Sequence, residues 1–365
     1  MSLILIIFYF AIGIQVAYIL VLGTVILRHK YPESNKNKLG ISIIIAARNE
    51  ANNLNQILSD LANQAYPNFE VIIVNDRSSD DSGSILEKYA DDYHWLRVIH
   101  IGTLPSGWTG KKYAIHQGVS NAKKEILLFT DADCRPKSKH WLSNVSQSFD
   151  SQIDVVLGYS PYFKENSLLN QFIQYETLLT GMQYLGMSLV GKPYMGVGRN
   201  MAIRKEVYDL EFLKKIKHLE GGDDDLMVSH LSNKMNTRVM ISPESMMVSI
   251  PKSDFSSYLT QKVRHLAAGK HYHKKDQTLL GIFTLSCVVV WALLISLLIS
   301  GIDPKLALMV FGIRSFVVYP IISLLGRKLN ISIDFWALPF LDLCYCLYYP
   351  LVAVKALATK QVEWK

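Results

Sequence analysis

Ile41-Ser42-Ile43-Ile44-Ile45-Ala46-Ala47, closed at once by Arg48-Asn49-Glu50, reads as a buried strand ending in a polar turn. The next apolar positions, Leu54, Ile57, Leu58 and Leu61, recur at helical spacing. Pro67 breaks that helix, and Glu70-Val71-Ile72-Ile73-Val74 forms a second strand. It runs into Asn75-Asp76-Arg77-Ser78-Ser79-Asp80, a polar loop that opens a helix around Ile85 and Leu86. Leu96-Arg97-Val98-Ile99 supplies a third strand and Glu125–Phe129 a fourth. Strands alternating with helices of this size predict an α/β class with a doubly wound, mainly parallel sheet. Such sheets take ligands at the carboxyl ends of their strands. Polar residues stand at three of those ends: Arg48-Asn49-Glu50, Asp76, and Asp131 with Asp133. No Gly-x-Gly-x-x-Gly follows a strand, so a dinucleotide-binding fold is not supported.

The fourth strand delivers Thr130-Asp131-Ala132-Asp133. Two carboxylates at the mouth of a strand suit Mg²⁺ or Mn²⁺, which prefer hard oxygen ligands and commonly share them with substrate phosphates. A diphosphate leaving group needs that charge neutralised before it departs. Asp-x-Asp also occurs in solvated turns, so the triplet gains its meaning from the other strand ends.

The 365 residues are 50% hydrophobic, and the excess lies at the two ends. Ser2 to Leu27 is apolar apart from Gln15, long enough to cross a bilayer. No basic residue precedes it and no clear small-residue cleavage site closes it, so it is expected to be a retained anchor over residues 1–28. Arg28-His29-Lys30 then puts the following segment in the cytoplasm. Further apolar spans occur at about Thr278–Ile302, Pro304–Leu325 and Phe335–Ala358, giving a C-terminal membrane region over 278–358. The basic loops around Lys262–Lys275 and at Arg327-Lys328 also belong in the cytoplasm. An odd count of C-terminal crossings would export Lys360 and Lys365, which leaves a re-entrant or interfacial placement open for one of them. The net charge of +7 clusters beside the spans, which points to an anionic membrane surface and not to nucleic acid. The four cysteines form no disulfide framework, and Cys344-x-Cys346 lacks the His or Cys pair that would complete a zinc set.

Between the ends, residues 39–275 form the expected catalytic domain. Ser167 to Val190 reads as a long helix, either a buried core helix or an amphipathic one lying on the membrane. Arg314 and Asp342 fall inside spans at depths differing by only about 6 Å, counted from the loop at Arg327-Lys328 at the helical rise. An ion pair is expected there, with a lipid headgroup contact as the alternative.

These segments resemble the family 2 inverting glycosyltransferases of GT-A fold, in particular membrane-anchored, non-processive members acting on carotenoid-type or other lipid acceptors. The resemblance runs from Ile41 to Lys275 and extends to the arrangement of anchor and C-terminal spans. It is carried by Ala46-Ala47-Arg48-Asn49-Glu50, Val74–Asp80, Gly107-Trp108-Thr109-Gly110-Lys111 and Thr130–Asp133. Further on it is carried by Gly198-Arg199-Asn200-Met201-Ala202-Ile203-Arg204, Gly222-Asp223-Asp224-Asp225-Leu226 and Gln261-Lys262-Val263-Arg264. The resemblance implies that Asp76 accepts from the nucleobase, that Glu50 lies near the nucleoside, and that Asp131 contacts the ribose. It implies Asp133 as the metal ligand, and Lys111, Gln261 and Arg264 as donor-binding groups.

A carboxylate of the acidic run would take the acceptor hydroxyl's proton, since crowded like charges raise a carboxyl pKa. The family pattern Glu-Asp-x-x-Leu aligns Asp223 with the base, but Gly222 replaces the usual Glu and Asp224 stays a competitor. His265 stands where the family commonly has Trp, which argues against a processive polysaccharide synthase. The resulting expectation is an inner-membrane, multi-pass enzyme with its catalytic domain in the cytoplasm. It would move a sugar from a nucleotide-diphosphate donor to a lipid or lipid-linked acceptor, with Mg²⁺ or Mn²⁺. A nucleotidyltransferase of related fold and a non-catalytic nucleotide-sugar-binding membrane protein are the alternatives.

Overall fold

The computed structural model describes residues 3–31 and 38–358. Ser2 and the tail lysines Lys360 and Lys365 lie outside the described residues. In chain order the elements are α1 (Leu3–Arg28), β1 (Ile41–Ala47), α2 (Ala51–Ala62), β2 (Phe69–Asp76), α3 (Ser82–Asp92) and β3 (Leu96–Ile101). They continue with α4 (Gly110–Asn121), β4 (Ile126–Asp131), β5 (Cys134–Pro136), α5 (Trp141–Gln147), β6 (Val155–Gly158) and α6 (Leu168–Leu189). Then come β7 (Met201–Arg204), α7 (Leu210–Lys215), α8 (Asp225–Leu231), β8 (Thr237–Met240) and β9 (Met247–Ser249). The helices α9 (Phe255–Ala268), α10 (Lys274–Ser300), α11 (Pro304–Lys328) and α12 (Leu338–Ala358) complete the order. The described residues divide into two compact units, one of residues 30–31, 38–163 and 191–251, the other of 3–29, 164–190 and 252–358.

The first unit is built on a seven-stranded sheet in the order β3-β2-β1-β4-β7-β6-β8. β1 lies parallel to β2 and β4, and β2 parallel to β3. β7 runs antiparallel between β4 and β6, so the sheet is mainly but not wholly parallel, as the rhythm of the sequence predicts. Ala46 stands opposite both Val74 and Asp131, which brings the carboxyl ends of β1, β2 and β4 onto one edge. The apolar run of β1 is buried on both faces, as a central parallel strand requires. Leu54, Ile57, Leu58 and Leu61 of α2 are fully buried beneath it. On the opposite face α4 approaches closely at Gly118, where an added Cβ would stand 2.6 Å from Ile44 Cγ2.

The second unit is helical. α1, α10, α11 and the segment 335–356 are long and apolar enough to cross a membrane, with mean hydropathies of 2.5, 2.7, 2.0 and 1.6. Leu5, Phe8, Ala11 and Ile12 of α1 pack with Val290, Leu294, Leu297 and Ala307. Ile299, Phe316 and Leu351 face outward. α6 is buried on all sides, which decides for the core helix over the amphipathic one. The buried Glu176 is tolerated because it is paired: it meets Lys262 and accepts from Tyr258 Oη at 3.2 Å. Arg314 Nη1 reaches Asp342 Oδ2 at 2.6 Å, the pair expected from their matching depth, while Gln15 Oε1 accepts from Arg314 Nε at 2.9 Å.

Candidate active site

The loops at the ends of β1 and β2 are laced together. Asn49 and Arg77 both adopt positive φ, 57° and 52°. The Asn49 N–H donates to Ser78 Oγ at 2.9 Å, and the Ser79 N–H donates to Asn49 Oδ1 at 2.8 Å. Glu50 N–H donates to Ser82 Oγ at 2.9 Å, and Glu50 Oε2 accepts from Asn53 Nδ2 at 2.6 Å. Asp76 is fully buried, and Arg77 forks onto it, Nε to Oδ1 at 2.7 Å and Nη2 to Oδ2 at 2.9 Å. Both oxygens of Asp76 are thus engaged by its sequence neighbour.

At the end of β4, Asp131, Asp133 and Cys134 bring their ligand atoms within 4.8 Å of one another. Burial, reinforced by Asp133 and Asp131, pushes the Cys134 thiol well above its ordinary pKa, so the thiol stays protonated and donates to Asp133 Oδ1 at 3.5 Å. The two carboxylates are thus the hard oxygen donors, a set that fits Mg²⁺ or Mn²⁺. Lys111 Nζ lies 3.0 Å from Asp131 Oδ1 and 3.7 Å from Asp223 Oδ2.

The acidic run follows two glycines, Gly221 and Gly222, each at φ 77°. Both oxygens of Asp224 take backbone N–H groups, Oδ1 from Asp225 at 2.9 Å and Oδ2 from Gly198 at 2.6 Å, so Asp224 is the N-cap of α8. Asp223 is buried and lines a small cavity with Lys111, Thr130, Asp131, Gly198 and Met201. Beneath the run lies Lys112, fully buried, whose ammonium donates to the carbonyls of Leu219 and Gly221. Burial lowers the Lys112 pKa, opposed by Asp223, Asp225, Glu220 and Asp224. Lys112 escaped the sequence reading; the only signal was a second lysine beside Lys111 on the same helix.

The Gly198-Arg199-Asn200 segment divides its labour. Gly198 ties down Asp224, and the Arg199 guanidinium sits 4.4 Å over the Tyr162 ring. Asn200 is fully buried, accepting from Trp141 Nε1 at 3.1 Å and donating to the carbonyls of Tyr159 and Ser245, both at 2.9 Å. Of the expected site residues, Lys111, Asp131 and Asp223 come together on the sheet unit, with Asp133 beside Asp131. Glu50 and Asp76 stand on the neighbouring loops of the same unit, and Asp224 is a cap. Gln261 and Arg264 lie on α9 of the helical unit.

A mainly parallel sheet with an antiparallel insertion and an acidic pair at the end of its central strand is a GT-A fold. Residues 42–210 match the model of "Glycosyl transferase family 2". The chain is 28% identical over 204 residues to the "Probable glycosyltransferase YdaM" of Bacillus subtilis (strain 168), covering 53% of this chain and 46% of that protein. It is 33% identical over 112 residues to the "4,4'-diaponeurosporenoate glycosyltransferase" of Staphylococcus haemolyticus, covering 31% and 29%. It is 34% identical over 113 residues to the "Beta-monoglucosyldiacylglycerol synthase" of Trichormus variabilis, covering 30% and 24%. These matches span less than half the length of those relatives. Among solved structures, the mannosyltransferase PcManGT from Pyrobaculum calidifontis, in complex with GDP-Man and Mn2+, superposes with a TM-score of 0.63 at 18% identity. That likeness covers 97% of this chain and 100% of the other, and it shows the fold.

Proposed function

We propose that this protein is a membrane-bound inverting glycosyltransferase. It moves a sugar from a nucleotide-diphosphate donor to the hydroxyl of a lipid or lipid-linked acceptor at the cytoplasmic face. The observation that carries most weight is Lys111 bridging Asp131 and Asp223, at 3.0 and 3.7 Å. It sets a cation-attracting acidic edge and a second, cavity-lining carboxylate on either side of one ammonium. That is what a displacement needs when a diphosphate leaves one face of a sugar and a hydroxyl enters from the other.

In this reading Asp223 removes the acceptor hydroxyl's proton as its oxygen bonds to the anomeric carbon. The bond from that carbon to the diphosphate oxygen breaks in the same step, so the configuration inverts and no covalent enzyme intermediate forms. Asp224 is the less available of the two, because both of its oxygens are taken by backbone N–H donors. Asp133, with Asp131 beside it, would hold the Mg²⁺ or Mn²⁺ ion, which when bound neutralises charge on the departing diphosphate. Asp131 also contacts the ribose, Asp76 and Glu50 hold the nucleoside, and Lys111 reaches the nucleotide-sugar. A lipid acceptor is supported by the apolar helices and by the relative named for monoglucosyldiacylglycerol. The basic Arg28-His29-Lys30 and Arg327-Lys328 support the cytoplasmic face.

The test is a panel of nucleotide sugars incubated with the protein in membranes and native lipid extract. Release of nucleoside diphosphate with labelled lipid supports the proposal. Consumption of added pyrophosphate, with formation of nucleoside triphosphate and sugar 1-phosphate, would favour a nucleotidyltransferase, and no turnover with any donor a binding protein.

A further inference from the structure

A lysine ammonium is seldom buried without compensation, because its desolvation is costly. Lys112 is fully buried in the first turns of α4, and its ammonium is compensated by backbone carbonyls, those of Leu219 and Gly221. Those carbonyls bracket the entry to the acidic run. Gly221, itself one of the two, and Gly222 after it both adopt left-handed backbone that glycine tolerates at no steric cost. Such a pair has little conformational preference of its own, so its path is set by what ties it down. The ties include Lys112, on the carbonyls of Leu219 and of Gly221 itself, and the Gly198 N–H to Asp224 beyond the glycines. Asp223 lies between them.

Lys111 and Lys112 are consecutive on a helix and so diverge by about 100°. Lys111 points to Asp131 and Asp223, whereas Lys112 holds the backbone that carries Asp223. We propose that Lys112 is a positioning residue for Asp223, clamping the double-glycine loop so that the carboxylate faces the reacting centre. This inference rests on the transferase reading of Asp223. Lys112 is buried away from solvent and its hydrogen bonds go to the loop, while its charge also lies near that of Asp223. A displacement of about 1 Å at a reacting group can cost on the order of a hundredfold in rate. Loosening the loop should therefore register in turnover and not in donor affinity.

The experiment compares full-length wild type, Lys112→Met and Lys112→Arg in membranes, measuring kcat, donor KM and nucleotide binding. The expected result is a kcat lowered by about 30-fold or more in K112M, with donor KM and nucleotide affinity within about twofold. K112R, which can still donate to both carbonyls, should recover most of the loss. An unchanged kcat in K112M overturns the proposal, and so does a parallel loss of nucleotide binding that K112R does not relieve. Should K112M fail to fold, Gly222→Ala perturbs the same loop through its left-handed backbone. A kcat-selective loss there supports the clamp, and an unchanged kcat overturns it. A wild type that transfers no sugar overturns the transferase reading itself, an outcome distinct from an active wild type indifferent to Lys112.

Discussion

Asp224 accepts the Gly198 N–H at 2.6 Å, a bond that ties the acidic run to the segment entering β7 and spends one carboxylate oxygen on structure. The other oxygen caps α8. Asp223, one residue earlier, has its side chain at the cavity with Lys111. The two neighbours should therefore fail in different ways. Asp223→Asn is expected to lower kcat by about 10²- to 10⁴-fold with an unchanged melting temperature, the loss of a general base. Asp224→Ala is expected to cost about 1 kcal/mol or more of stability, as lost caps do, with a smaller effect on turnover in the folded fraction. Turnover and thermal unfolding of both variants check this. An inactive Asp224 variant beside an active Asp223→Asn would move the base by one residue.

Asp133→Ala should abolish the metal dependence of donor binding while the sheet unit stays folded, because it removes one of the two hard oxygen donors in the cluster. Donor affinity measured across a Mn²⁺ titration is the check. A titration curve that matches wild type would remove Asp133 from the ion's site.

Arg77 occupies both oxygens of Asp76 in a fork. If Asp76 receives the nucleobase, Arg77→Ala should tighten nucleotide binding several-fold, since a charge-assisted bond of about 1.5–3 kcal/mol no longer competes. Calorimetric titration with the free nucleoside diphosphate reads this directly. Weaker binding would show that the Arg77 guanidinium itself holds the nucleotide.

Arg314 and Asp342 are both buried within the helical unit, joined by Tyr319 and Gln15. Breaking a buried pair by removing one partner costs about 3–5 kcal/mol, whereas replacing both with apolar residues is often nearly neutral. Arg314→Leu should thus destabilise strongly in detergent, and the Arg314→Leu/Asp342→Leu double variant should recover. A double variant that is stable yet no longer turns over lipid acceptor would favour the headgroup role.

Much of this architecture is legible in the sequence, for identifiable reasons. β1, β2 and β4 are continuous apolar runs because central parallel strands are buried on both faces, and their polar ends reveal the site edge. The Arg314–Asp342 pair follows from helical rise alone. What escapes is set by non-local pairing. α6 carries Asn170, Gln174, Glu176 and Gln183 in its buried surface, so no apolar stripe distinguishes core from interface. The partner that makes Glu176 tolerable, Lys262, lies far along the chain. Lys112 likewise looks like a solvated lysine until Leu219 and Gly221 fold beneath it. The choice between Asp223 and Asp224 needs Gly198, which no local pattern supplies.

The central claim is a single displacement in which the sugar leaves a diphosphate and changes configuration. The direct measurement is the anomeric configuration of the purified glycolipid product, read by NMR against the configuration of the donor, with the released nucleotide identified in parallel. The account predicts inversion and one nucleoside diphosphate per sugar transferred. Retained configuration, or nucleoside monophosphate in place of nucleoside diphosphate, would contradict it.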